Sequence, residues 1–86
     1  MKTKTYVGKI NERNGDMEYF SEFLFETKGN PELRLDKISA NWRGSKMKYD
    51  QHHGGYWCDN TLVRSDGHRL VDPIDVPSLK KYFSTL

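Results

Sequence analysis

The sequence predicts a small α+β domain in the order ββαβββα, an antiparallel sheet with two helices packed on one face. Three observations predict it. Asn14-Gly15 separates two alternating apolar segments. A capped helical pattern follows Asn30. Short apolar runs divided by turn residues then lead into a closing helical pattern.

The first two strands are expected over Thr3–Arg13 and Asp16–Thr27, joined by Asn14-Gly15 in a type I′ turn. A two-residue loop sets Arg13 opposite Asp16 and, counting outward, Ile10 opposite Tyr19 and Tyr6 opposite Phe23. Tyr6, Ile10, Tyr19, Phe23 and Phe25 then face a core. Val7, Phe20 and Leu24 face the other way, framed by Glu18, Glu22 and Glu26.

Asn30 is suited to cap a helix, Pro31 to begin it and Glu32 to meet its positive end. Leu35, Ile38 and Trp42 recur on one helical face, and Gly44 is placed to stop the helix. Ser45–Gly55 has no apolar period and reads as a long loop. Strands are expected at Tyr56–Cys58, Thr61–Arg64 and His68–Val71, with turns at Asp59-Asn60 and Ser65–Gly67. Leu79, Tyr82, Phe83 and Leu86 give the last helix, from about Pro77 to Thr85, its apolar face.

Eighty-six residues allow one domain with a small core. Eleven aromatic side chains (two Trp, five Tyr, four Phe) argue for an ordered chain. The net charge of +2 is spread evenly: residues 1–28 sum to zero, and 29–43 and 44–86 to +1 each. That distribution lacks the basic stripe of a dedicated DNA binder and the acidity of a DNA mimic. One cysteine, Cys58, excludes an intramolecular disulfide and suits a reducing compartment. Met1–Thr5 leads into no apolar stretch, and no long apolar run follows. A cytoplasmic protein without membrane contact is expected.

Candidate chemistry is sparse. His52, His53, Cys58 and His68 are metal-ligating types, but they lack the paired spacing of a zinc site. Cys58, His68 and Asp59 or Asp72 supply nucleophile, base and acid, but Cys58 lies in an aromatic strand where burial would suppress its thiolate. Glu18, Glu22 and Glu26 stand too far apart on an extended strand to share a proton. Neither an enzyme, a metal site nor a cofactor is expected.

The segment from Arg43 to Trp57 is the stronger candidate. Arg43, Lys46, Lys48, Tyr49, His52, His53 and Trp57 mix cations with aromatics. Such mixtures dominate protein-binding hot spots and also stack bases beside phosphates. The opposite reading is a solvated loop whose Tyr56 and Trp57 simply cover the sheet. Phe20 and Leu24, on the outer sheet face, form a second candidate contact surface.

The stretch Ile10–Tyr19, followed by Phe23–Thr27, resembles the opening hairpin of small bacterial and phage proteins. Leu79-Lys80-Lys81-Tyr82 is similar to their last helix. The resemblance carries no functional residue. It implies a bacterial or mobile-element origin, and proteins of that kind often inhibit a host machine, anti-CRISPR inhibitors among them. The expected function is therefore non-catalytic protein binding, as a monomer or homodimer. The alternative is a nucleic-acid accessory domain using residues 43–57 together with Arg64 and Arg69.

Overall fold

A computed structural model describes residues 2–44 and 46–86. Five strands form one antiparallel sheet: β1 (Lys4–Asn14), β2 (Met17–Thr27), β3 (Lys48–Asp50), β4 (Gly55–Cys58) and β5 (Thr61–Leu70). Their order across the sheet is β2-β1-β5-β4-β3. One long helix, α1 (Pro31–Ala40), crosses between the two edges. The α+β class and the antiparallel sheet are as the sequence predicts, and the predicted topology holds in outline.

The opening hairpin turns one residue later than expected. Asn14 pairs with Met17 and Arg13 with Glu18, so the loop is Gly15-Asp16. Only Gly15 has positive φ there (60°), as a type II′ turn requires at its first central position. Each β1 residue therefore meets a partner two places further along β2. An even slip preserves the faces, because side chains alternate with period two. Gly8 meets Phe23, Tyr6 meets Phe25 and Ile10 meets Ser21. Tyr19, assigned to the core from sequence, lies beyond its rim and is 51% exposed.

Asn30 caps α1 as expected, its side-chain oxygen accepting from Glu32 N at 2.9 Å. The helix ends at Asn41, before Gly44, with the Asn41 side-chain amide donating to Lys37 O at 3.0 Å. Leu35 and Ile38 bury against Ile10, Phe23, Phe25 and Val63, and Trp42 packs beside them, 5.4 Å from Phe23 between ring centroids. Ser39 is buried, and its hydroxyl lies 2.6 Å from that of Ser65, tying α1 to β5. A methyl group on Gly8 would lie 2.8 Å from Phe25 Cε1, so the aromatic packing requires glycine there.

Two expected strands are one. Thr61–Leu70 is continuous, and Asp66-Gly67 is a β-bulge opposite Lys9, with Gly67 at φ 105°. Ser-Asp-Gly serves a bulge as well as a turn, because Gly67 supplies a positive φ that either can use. The expected long loop contains β3.

The closing helix is shorter than its apolar pattern suggests. A 3₁₀ turn at Pro73–Asp75 leads into a single helical turn, α2 (Val76–Leu79). Among the described residues the core cluster takes helical side chains from α1 and none from α2. Beyond α2 the chain runs to the β2 edge. Leu24 N donates to Ser84 O at 2.8 Å, and Leu86 N to Leu24 O at 2.7 Å. Lys80 pairs with Glu26 at 3.2 Å.

Candidate functional site

Alternation along the strands sorts the candidate residues. On β3 and β4, Tyr49 sits opposite Tyr56, and Lys48 opposite Trp57. Tyr56 donates to Asp36 Oδ2 on α1 at 2.9 Å, so the tyrosine pair is on the helix side. Burial first, and then that bond, pushes the Tyr56 phenol up to about 12. Arg43 is also on the helix side, its Nε 2.7 Å from Glu12 Oε1. Lys46 is exposed between these elements. Lys48 and Trp57 therefore fall on the opposite face, away from α1.

That outer face gathers Phe20, Trp57 and Lys48 with residues of β1 and β5. The register lays Glu18, Arg13, Leu62, Trp57 and Lys48 in one row across five strands. Phe20, Asn11 and Arg64 form the next row. Phe20 is 53% exposed, with Lys9 Nζ 4.6 Å from its ring centroid. Asn11 is buried between its neighbours, donating to Glu18 Oε1 at 2.8 Å and accepting from Arg64 Nη2 at 3.4 Å. Gly55 makes room for the Arg64 stem; a methyl there would also lie 2.7 Å from Val63 O.

Leu24 leaves the candidate surface. The sequence places it there with Phe20, but it is completely buried beneath the closing segment that bonds to its backbone. The outer face is therefore covered at the Leu24 end and open from Phe20 to Trp57.

His52 and His53 stand at the tip of the β3–β4 turn, and Asp50 holds them there. Its Oδ1 accepts from the backbone N–H groups of His52 (2.9 Å) and His53 (3.2 Å). Its Oδ2 accepts from Trp57 Nε1 at 2.8 Å and lies 2.7 Å from His53 Nδ1. The bond from Trp57, followed by that from His53, holds the Asp50 carboxyl down at about 2. The His53 ring meets the Trp57 ring edge-on, with centroids 5.8 Å apart.

The carboxylates near this face are mostly engaged, and several cations are not. Asp66 pairs with Lys9 at 3.7 Å and Glu26 with Lys80. Arg13, Lys48, Arg64 and Arg69 make no ion pair among the described residues. Arg13 and Asn11 join this face without being among the candidates of the 43–57 segment or the Phe20–Leu24 patch. The signal was available, since alternation from Phe20 through the hairpin puts both on its face.

The remaining constellations disperse. Cys58 pairs with Thr61 and His68 with Gly8. Those positions are separated by about 23 Å of strand at ~3.3 Å per residue. The His68 ring packs edge-on against Tyr6, with centroids 5.9 Å apart. Among the described residues, no group of three or more His, Cys, Asp or Glu side chains is placed to hold a metal. No described helix is long and apolar enough to cross a membrane. No protein-family model, curated protein or solved structure matches the chain.

Proposed function

We propose that this protein is a non-catalytic binding module that engages a protein partner through the open sheet face opposite α1. The observation that carries the reading is the exposure of Phe20 and half-buried Trp57 on one rigid face among charges of both signs. Aromatic anchors ringed by charge supply most of the binding energy in protein interfaces. Glu18 and Glu22 line one side of the face and Arg13, Arg64 and Lys48 the other. A complementary protein surface can match such a gradient, whereas a polyanion is repelled by half of it. The hairpin resemblance supports a bacterial or mobile-element inhibitor as the biological form of this activity.

The test is capture from lysate of the source cells with wild-type protein and the Phe20→Ala/Trp57→Ala variant. A stoichiometric protein retained by wild type and lost from the variant is the expected result. Equal retention by both, or no retained protein, removes the reading.

A second reading is nucleic-acid binding, favoured by the unpaired cations around Trp57. It requires affinity for a single-stranded oligonucleotide that falls steeply with salt and weakens in Lys48→Gln/Arg64→Gln. Absence of binding at low salt, measured by fluorescence anisotropy, eliminates it.

A further inference from the structure

Arg13, His53, Trp57, Asn60, Leu62 and Arg64 line a cleft of about 320 Å³ at the basic end of the outer face. We propose that this cleft binds a nucleoside monophosphate, its phosphate held by Arg13 and Arg64 and its base lying against Trp57. The site does not depend on the protein-binding reading, because it needs only the cleft.

Four features converge on this chemistry. Two arginines line one cavity, and neither has a carboxylate partner among the described residues. Guanidiniums present planar forks of donors that match phosphate oxygens, and Arg64 spends only one long bond, on Asn11. Two acids on the same face are already engaged: Glu18 accepts from Asn11, and Asp50 accepts from Trp57 and the turn. The Trp57 N–H is committed to Asp50, so its ring offers the cleft an apolar π surface rather than a donor. Leu62, 5% exposed, forms the apolar floor.

The volume sets the size of the ligand. A bare phosphate would leave most of the cleft empty, while ~300 Å³ is the lower end of small-molecule sites. Asn60 adds a side-chain amide at the rim, able to donate and accept at a base edge or a sugar hydroxyl.

The experiment is an NMR titration of the full chain with AMP, ribose 5-phosphate and N-acetylglutamate at low ionic strength. AMP is expected to shift the Trp57 indole N–H and the amides around Arg13 and Arg64, and to bind at least five-fold more tightly than ribose 5-phosphate. Arg13→Gln and Arg64→Gln are each expected to weaken AMP at least five-fold. Arg13 is exposed and makes no bond whose loss would unfold the chain, so its variant keeps the test valid if Arg64→Gln misfolds. The proposal fails if AMP causes no shift at millimolar concentration, or if Arg13→Gln binds it as wild type does. It fails equally if N-acetylglutamate binds as tightly as AMP, which would make the cleft a seat for an acidic side chain of a protein partner. Ribose 5-phosphate binding as tightly as AMP would overturn the role given to Trp57.

Discussion

Among the described residues, Asp50 makes more side-chain hydrogen bonds than any other side chain. It joins β3, the histidine-bearing turn and Trp57 through a single carboxylate. Its folded pKa of about 2 lies below the ordinary 3.8, so its contribution is fully present above pH 3.8 and is lost as pH falls through about 2. The Trp57 indole N–H resonance is therefore expected to hold its position down to about pH 4 and to move as pH falls through about 2. Asp50→Asn should move it at neutral pH. Tyr56 behaves in the opposite sense: one tyrosine should ionise near pH 12, seen by ultraviolet difference titration, and Tyr56→Phe should remove that step. At Gly8, alanine would push a methyl against Phe23, Phe25 and Leu35. Gly8→Ala is expected to cost about 1–3 kcal/mol, as overpacked cores do, read as a lower denaturation midpoint.

The elements of this fold were legible where their signals are local. Asn30, Pro31 and the Leu35–Ile38–Trp42 spacing describe a helix with its own start and face, and α1 follows them. The hairpin faces were legible for the same reason, although the turn falls one residue later than Asn14-Gly15 predicts. Asn-Gly and Gly-Asp both make two-residue loops, and composition does not separate types I′ and II′. Non-local pairing hid the rest. β3 is three residues long and exists because Lys48, Tyr49 and Asp50 find Trp57, Tyr56 and Gly55 across a turn. The bulge at Asp66-Gly67 is set by β1, which the β5 sequence cannot report. The closing segment bonds to an edge some sixty residues earlier in the chain, so its apolar spacing looked like a longer helix. Truncation after Phe83 is expected to uncover Leu24, lower the thermal midpoint and raise binding of a hydrophobic dye.

At the scale of the whole molecule, one helix covers one side of a five-stranded sheet and leaves much of the other to solvent. The candidate residues of the 43–57 segment divide between these sides. Arg43 and Tyr49 go to the helix side, Lys48 and Trp57 to the open one. Composition could name the residue types but could not assign them to faces without knowing that β3 exists. The division makes a prediction about binding. Substituting Lys48 or Trp57 should weaken any partner of the open face, while Tyr49→Ala should leave it within about two-fold, measured by calorimetry once that partner is in hand.

The Asp50 turn has a consequence for what the molecule can be made to display. Asp50 grips the backbone N–H groups of residues 52 and 53, and Gly54 closes the loop with its own N–H on Asp50 O at 2.9 Å. Nothing in that grip reads the side chains of Gln51 or His52. The tip is a socket rather than a fixed ornament: Asp50, His53 and Gly54 define it, and Gln51 and His52 can be exchanged like a cartridge. A library varied at positions 51 and 52 should keep the parent fold while changing what the end of the sheet presents.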